Sequence, residues 1–504
     1  MCGILGEFVF NRPPIKEEEF LSLLGLSKRR GPDSTSHIKI NNILQLGFNR
    51  LSILDLSDKA DQPIRSPSGR YTMVFNGEVY NHKELRRNLP SNKYQFFGNG
   101  DTESIITCFD EYGILPTIRM LDGMFAIGVF DNKEKQLYLV RDFAGIKPLY
   151  YGYSGELLVF ASQYDQIVKH PVFYDNEIDQ KVLKLYLSQH FIPAPYGLLR
   201  NTFQVMPGEL IIINKNGDKE HERYWELPKK VDNSNYDNAN AIELLESTLE
   251  DAVNSEMISD VPLGAMISGG IDSPLICYYA QKFINDKLIA ITVGSDNKKY
   301  DESGIASQYS QIMDLDHRII NINDIDIRDT LNKVSLSMTE PFADISLIPM
   351  LVASEFAKKN ITVALSGDGA DELFFGYERF WSISKNRNIQ QLPYFLKYGL
   401  YGMDRLFFNN NHINSACLFE TQGLAHLGLN SRFNFELMYN ILPDLKKISY
   451  PIDYDNYDYP TTNNELELLG YMRHAEFYGM MQKTLRKVDQ ASMYNSLEIR
   501  VPFL

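Results

Sequence analysis

The stretch Leu263-Gly264-Ala265-Met266-Ile267-Ser268-Gly269-Gly270-Ile271-Asp272-Ser273-Pro274-Leu275 decides the architecture of the second half of this 504-residue chain. Its first five residues form a short apolar run, which predicts a buried strand. Ser268, Gly269 and Gly270 end that run. Pro274 suits the first turn of a helix, where its missing N–H would have had no partner. A strand that turns through serine and glycine into a helix offers backbone N–H groups and the positive helix end to an anion such as phosphate. No GxxxxGK[ST] occurs in the chain, so the loop is not a Walker A motif. Two further apolar runs, at 288–293 and 361–365, also lead into helical spacing. Alternation of this kind predicts a parallel α/β sheet. The last of these runs opens into a second glycine-rich loop, Ser366-Gly367-Asp368-Gly369-Ala370-Asp371-Glu372.

The texture differs upstream. Short β-like runs at 71–75, 126–130, 136–140, 157–161 and 209–213 alternate with turns, and helical spacing appears at 17–26 and 102–112. This predicts an α+β unit with mostly antiparallel strands. Between the halves, 229–240 is polar and asparagine-rich and reads as a linker. A helix is expected over 241–255, with Leu244, Leu245, Leu249 and Val253 on its apolar face. Residues 378–500 read mainly as helices.

Lys and Arg number 50 against 65 Asp and Glu, a net charge of −15, which argues against a protein that coats nucleic acid by neutralising phosphates. Cys2, Cys108, Cys277 and Cys417 form no CxxC pair, the pattern of a reducing compartment. No apolar run reaches the roughly 18 residues of a membrane span, and the N-terminus lacks a basic n-region. The expected location is cytoplasmic.

Cys2 follows the initiator Met. Removal of that Met would put a thiol and a free α-amine on one residue, and an amine of pKa about 7.7–8.0 can serve the thiol as base. Alone, Cys2 reads equally as an incidental cysteine. Behind it come Arg29-Arg30-Gly31-Pro32-Asp33, Arg50-Leu51-Ser52-Ile53-Leu54-Asp55, Asn76-Gly77-Glu78-Val79-Tyr80-Asn81-His82 and Gly100-Asp101-Thr102-Glu103. Asn76 with the Gly77 amide, on a strand-to-turn corner, could form an oxyanion hole. Arg50 offers a fork for a carboxylate, and Asp101 a partner for an ammonium. The plainer alternatives are an Asn-Gly turn, a surface-paired Arg50 and an Asp101 that caps its helix. In this order the motifs resemble the glutaminase domain of class II glutamine amidotransferases. The resemblance implies that Cys2 attacks the side-chain amide of glutamine, and that Arg50, Leu51, Ser52, Ile53, Leu54, Asn76, Gly77, Glu78 and Asp101 surround that substrate.

The Ser268–Ser273 string resembles the pyrophosphate loop of ATP pyrophosphatases. Magnesium prefers a few hard carboxylates plus phosphate oxygens and water, so Asp272 and Asp371 could share a magnesium ion with ATP. An acidic helix start at Asp371-Glu372 is compatible with that. Together with Ala290–Gly294, Tyr300-Asp301-Glu302, Glu340-Pro341-Phe342-Ala343-Asp344, Thr484–Met493 and Glu498–Phe503, these loops resemble glutamine-hydrolysing asparagine synthetases over nearly the whole chain. The resemblance implies an ATP site lined by Met266, Ser268, Gly269, Gly270, Asp272, Ser273, Val293, Ser366 and Gly367. It implies Asp272 and Asp371 as magnesium ligands, and Asp368 at the position tied to acyl-adenylate formation. Met266, Pro274 and Asp368 are places where the chain departs from the commonest family residues.

The expected fold is therefore an α+β N-terminal-nucleophile glutaminase domain at 1–215, with antiparallel sheets sandwiched by helices. A linker at 216–240 would lead to an α/β parallel-sheet ATP-pyrophosphatase-type domain at 241–504, helical towards its C-terminal part. The expected activity is glutamine hydrolysis at Cys2 coupled to adenylation of aspartate and its amidation by ammonia, with ATP as co-substrate and Mg²⁺ as cofactor. The expected partners are the small molecules glutamine, aspartate and ATP, with neither nucleic acid nor membrane; a homodimer is left open. The family's enclosed ammonia route is expected between the domains. Another carboxylate acceptor, such as a sugar uronic acid, and a glutaminase-only or regulatory protein are the competing readings. In the family the Val501-Pro502-Phe503-Leu504 stretch continues into a further segment bearing a pyrophosphate-site lysine. The resemblance thus implies a truncated chain, with Phe503 and Leu504 short of packing partners.

Overall fold

Short, mostly apolar strands build the first unit, and the main ones are buried along nearly their whole length. The computed structural model describes residues 2–229, 238–407, 417–431 and 435–504. Two six-stranded antiparallel sheets pack face to face. The first runs Thr202–Gln204, Tyr150–Ser154, Leu157–Ala161, Gly3–Val9, Leu44–Arg50, Ser34–Ile40. The second runs Lys219–Arg223, Glu209–Ile213, Gln136–Arg141, Gly123–Asp131, Tyr71–Val79, Ile64–Arg65. Phe8, Phe48 and Phe160 of one sheet meet Val74, Phe130 and Ile211 of the other in a closed core. Each outer face carries helices. Phe20, Leu23 and Leu24 of Glu17–Gly25 cover the first sheet, and Ile105, Ile106 and Phe109 of Asp101–Tyr112 cover the second. This is the helix-sheet-sheet-helix sandwich that the sequence predicts.

The segment expected to be linker behaves differently at its start. Residues 219–223 pair antiparallel with Glu209–Ile213, because the Asn216-Gly217 turn folds the chain straight back. The rest of the expected linker includes 230–237, which lie outside the described residues. The helix that follows, Asn238–Glu256, buries Leu249 and Val253, whereas Leu244 and Leu245 face solvent. Its apolar spacing is thus used for core only in the second half.

The second unit has a five-stranded sheet in the order Asp316–Asn321, Ile289–Gly294, Leu263–Met266, Val363–Leu365, Glu498–Arg500, every pairing parallel. Helices Asn238–Glu256 and Asp272–Lys282 cover one face through Leu249, Val253, Ile276 and Ala280. The other face packs on Ala357, Leu485, Val488 and Met493, in a core that also takes in Leu51, Ile53, Met124 and Ile146 of the first unit. One apolar core therefore joins the two halves. Phe503 and Leu504 have partners, contrary to expectation: Phe503 lies edge-on to Phe374 and Leu504 packs into the shared core beside Gly369. Among the described residues no helix is long and apolar enough to cross a membrane.

Candidate active sites

Cys2 immediately precedes Gly3–Val9, an inner strand of the first sheet, and is buried. Its backbone nitrogen donates to Asn76 Oδ1 at 2.8 Å, and its Sγ lies 3.9 Å from the Leu51 carbonyl. Burial pushes the Cys2 thiol above its ordinary pKa. Asn76 and Gly77 sit within the strand Tyr71–Val79, paired with Ala126 and Phe125, not on a turn. Nine residues of continuous pairing with Gly123–Asp131 override the local Asn-Gly turn preference. A Cβ on Gly77 would stand 2.0 Å from the Met124 carbonyl oxygen, so the neighbouring strand leaves room only for glycine. Asn76 Nδ2 is buried with no partner among the described residues, a donor held beside the Cys2 nitrogen.

Cys2, Arg50, Leu51, Ile53, Leu54, Gly77, Glu78 and Asp101 wall one small cavity of about 30 Å³. Ser52 and Asn76 are not on the wall; the Ser52 backbone N–H donates to Asp33 Oδ2 at 2.7 Å. Sequence reasoning missed Phe48, Ala60, Gln62, Phe75 and Thr102, which complete the lining. Thr102 lies within a motif already recognised; Phe48 and Phe75 are brought in by their strands, and Ala60 and Gln62 by the segment between Arg50 and Ile64.

The charges of this cavity are arranged more closely than the motifs suggest. Arg50 Nη1 donates to the Ser57 carbonyl at 2.6 Å and to Asp61 at 2.9 Å, and Nη2 donates to the Asp55 carbonyl. Its Nε–H and one Nη2–H have no partner among the described residues, so half of the fork is already engaged. Gly100, not Asp101, caps the helix Asp101–Tyr112. The Asp101 carboxylate instead crosses to accept the Val79 N–H at 2.9 Å. Burial pushes Asp101 up to about 6. Burial raises Glu78 well above the usual carboxylate range, and the neighbouring Asp101 raises it further. Beneath Glu78 lie Glu498 and Arg500 of the second unit, both fully buried.

The second cavity, about 250 Å³, opens where the sheet strands end in loops. Met266, Ser268, Gly270, Asp272, Ser273, Ser366, Gly367, Asp368 and Asp371 line it. The two glycine loops touch: a Cβ on Gly367 would stand 2.8 Å from the Ser273 nitrogen. Val293, at the end of the neighbouring strand, and Gly269 are not on the cavity wall. The N–H groups of the first loop are largely occupied from within. Ser268 N donates to Ser273 Oγ at 2.9 Å, Gly270 N to Ser268 Oγ at 3.2 Å, and Gly269 N to Glu302 at 3.1 Å. The amides of Asp272 and Ser273 open the helix Asp272–Lys282 and by position have no intrahelical acceptor.

Burial raises both Asp272 and Asp371, and each feels a second carboxylate: Asp371 beside Asp272, and Asp368 beside Asp371. Asp368 accepts the Ser366 hydroxyl at 2.5 Å and lies 3.9 Å from Lys487 Nζ. Sequence reasoning missed Glu372, Tyr377 and Thr484 as lining residues. Tyr377 and Thr484 both donate to Glu372 Oε1, at 2.8 and 3.0 Å. Thr484 and Lys487 belong to a stretch the motifs had already marked.

One helix, Met480–Tyr494, serves both cavities. Thr484 and Lys487 face the larger one, and Asp489 receives Arg30 in a bidentate pair at 2.8 and 3.0 Å. Arg30 Nε in turn donates to the Cys2 carbonyl at 3.2 Å. Between them, Arg486 pairs with Glu340 at 2.7 Å, and Tyr150 of the first unit donates to the same Glu340 oxygen at 2.6 Å.

An N-terminal-nucleophile sandwich fused to a parallel-sheet unit with a phosphate-type loop defines a two-part amidotransferase of the ligase class. The comparisons agree. Residues 1–225 match the glutamine amidotransferase domain and residues 244–504 match asparagine synthase. The chain belongs to the glutamine-hydrolysing asparagine synthetase family, an enzyme family that uses ATP as co-substrate. It is 31% identical over 526 residues to asparagine synthetase (glutamine-hydrolysing) 1 of Bacillus subtilis, covering all of this chain and 79% of that one. A Methanocaldococcus jannaschii relative is 34% identical over 422 residues, 79% of each chain. A Gibberella zeae protein named amidase chry2 is 25% identical over 564 residues, all of this chain and 81% of its own.

Proposed function

We propose that this chain makes asparagine from aspartate, glutamine and ATP, with glutaminase chemistry at 1–215 and synthetase chemistry at 241–504. The observation that carries the reading is the pairing of cavities. One holds Cys2 with Arg50, Glu78 and Asp101, the other holds two loops with Asp272 and Asp371, and a single helix lines the second through Thr484 and reaches Cys2 through the Asp489–Arg30 pair. With Met1 removed, the Cys2 nitrogen becomes the α-amine; in the described chain its place is taken by a peptide nitrogen held by Asn76 Oδ1. The amine takes the thiol proton, and the thiolate attacks the side-chain carbonyl carbon of glutamine. Asn76 Nδ2 and the Gly77 amide receive the oxyanion. The C–N bond breaks, ammonia leaves with a proton returned by the amine, and water cleaves the thioester to glutamate. Ammonia then crosses to the second unit by an enclosed route, where apolar walls favour the neutral species.

In the second unit the side-chain carboxylate of aspartate attacks the α-phosphorus of ATP and expels pyrophosphate. Ammonia attacks the resulting acyl-adenylate and releases AMP. The Asp272 and Ser273 amides face the phosphates. Asp368, held by Ser366, stands beside the reacting acyl group. Asp272 and Asp371 fit a magnesium ion: both carboxylates border one cavity and are disfavoured as anions there, a cost a cation would offset. Among the described residues no group of three or more His, Cys, Asp or Glu could hold a metal, so phosphate oxygens and water would complete the shell. When bound, the ion supplies positive charge against the phosphates.

The acceptor is tested by ATP–pyrophosphate exchange with a panel of carboxylates. Aspartate alone is expected to drive exchange and AMP formation. Exchange with a sugar acid but not aspartate would replace aspartate in this scheme, a reading that the amidase-named relative keeps in view.

The acidic pair sets a pH dependence. Glutamine's ammonium needs Asp101 and Glu78 ionised. Asp101 ionises only above about 6 and Glu78 is raised as well, so kcat/KM for glutamine is expected to fall at least tenfold per pH unit below that, approaching a hundredfold where both groups are protonated. Both carboxylates hold protons more tightly than in the unfolded chain, so their burial costs stability as pH rises through that range, and bound ammonium offsets the cost. In Asp101→Asn, Glu78 loses its anionic neighbour and the acid limb moves to lower pH. A pH–rate profile of glutaminase activity reads both, and an unmoved limb in that variant would remove Asp101 from the pair.

A further inference from the structure

We infer that Asp260 of the synthetase half is a positioning residue for glutamine: it tethers the glutamine loop and carries to it the state of the nucleotide cavity. The inference rests on the functional reading above. Asp260 lies between the helix Asn238–Glu256 and the strand Leu263–Met266. Its N–H donates to the Ile53 carbonyl at 3.0 Å, and its Oδ2 accepts the Asp55 N–H at 2.8 Å. These reciprocal bonds bracket Leu54, and both Ile53 and Leu54 are walls of the Cys2 cavity. No motif in the sequence singles out Asp260.

The tethered loop walls a cavity that is small for glutamine, and its backbone is fixed by several partners. The cavity of about 30 Å³ has room for about one water molecule, so glutamine enters only as its walls shift. Asp55 sits at φ 52°, a left-handed conformation that aspartate tolerates better than most residues. Asn99 N–H at 2.7 Å and the Ser57 hydroxyl at 2.6 Å hold its carboxylate, Arg50 holds its carbonyl, and Asp260 holds its N–H. Asp260 is the member of that set supplied by the other unit.

Behind Asp260 the connection to the nucleotide cavity is continuous. Arg500 Nη1 donates to the Ile258 carbonyl at 2.7 Å and also to that of Glu256. The Arg500 carbonyl accepts the Ser366 N–H at 2.9 Å, and Ser366 lines the nucleotide cavity and bonds Asp368. A displacement of the Ser366–Asp368 loop is therefore passed through Arg500 to 256–260 and on to 53–55.

The test is glutaminase kinetics of the full chain, with and without ATP plus the acceptor carboxylate. Asp260→Ala is expected to raise KM for glutamine about five- to tenfold, the scale of one ordinary solvent-exposed hydrogen bond lost. It should leave kcat within about twofold and remove any effect of ATP on that KM. Asp260→Asn keeps an acceptor oxygen and is expected to restore the KM. Ammonia-dependent synthesis, unchanged in both variants, reports that the chain is folded. An Asp260→Ala chain with wild-type KM and an intact ATP effect would overturn the inference, as would an Asp260→Asn chain as impaired as the alanine variant. A wild-type chain without glutaminase activity would instead overturn the functional reading, and the inference with it.

Discussion

Replacing Cys2 by alanine is expected to abolish glutamine hydrolysis and glutamine-dependent amide formation while leaving ammonia-dependent synthesis in place. The size follows from the chemistry. Removing the nucleophile of an acyl-transfer enzyme costs roughly 10³–10⁶ in kcat, because the oxyanion donors and substrate contacts alone supply only the remainder. Here those donors would remain: Asn76 loses no side-chain partner, since its Oδ1 bonds the backbone nitrogen of residue 2 rather than the thiol. The substitution removes one sulfur from a buried site in contact with the Leu51 carbonyl, so the fold tolerates it. Alanine also permits removal of the initiator Met, which keeps the α-amine constant between the two proteins. The measurement is glutamate release and AMP formation with glutamine or with ammonium as donor. Loss of both donors would mean that Cys2 acts on the synthetase half as well. Retention of glutamine use would mean that the thiol is not the nucleophile, whatever its position.

The separation between the halves that this test exploits is also what the sequence shows best. Short β-like runs such as 71–75 and 126–130, separated by turns, marked the antiparallel sheets, and three apolar runs each followed by a helix marked the parallel one. The short motifs placed Cys2, Arg50, Gly77, Glu78 and Asp101 on one cavity wall, and nine residues of the two glycine loops on another. What stayed hidden is of one physical kind. Asn76-Gly77 looks like a turn until Gly123–Asp131 pairs along its whole strand. Asp101 looks like a helix cap until the Val79 amide reaches it. Arg50 looks like a free fork until the loop that follows folds back onto it through Ser57 and Asp61. The loop at Ser268–Ser273 looks like a row of open donors until its own hydroxyls and Glu302 turn inward. Each of these depends on a partner chosen by tertiary packing, where local propensity is overruled. The charges under Glu78 come from Glu498 and Arg500, more than 400 residues away. No periodicity or spacing rule reaches that far, and only the completed sheet brings them there.

The same long-range logic gives the second large effect, at the Arg30–Asp489 pair. Asp489→Ala is expected to destabilise the chain by about 3–5 kcal/mol, the usual result of leaving a buried charge without its partner. Arg30 and Asp489 have side chains only 2% and 1% exposed and meet in a bidentate geometry, and Lys147, 1% exposed, lies 4.0 Å from the same carboxylate. Removing the carboxylate therefore strands two buried cations at once. Arg30→Met is expected to cost less, because Lys147 remains as counter-charge to Asp489. The two variants should part in activity as well. Arg30 Nε holds the Cys2 carbonyl, so Arg30→Met should lower glutaminase kcat by about tenfold, the cost of a nucleophile set loosely rather than removed. The double variant Arg30→Met with Asp489→Leu removes both charges and fills the space with apolar atoms. It is expected to recover part of the lost stability, Lys147 accounting for the rest, without recovering the glutaminase rate. At about 2–4 °C per kcal/mol the Asp489→Ala chain should melt roughly 6–20 °C lower. A melting point equal to wild type would show that the pair contributes nothing net. A double variant with full glutaminase activity would show that Arg30 acts only through Asp489 and not on Cys2.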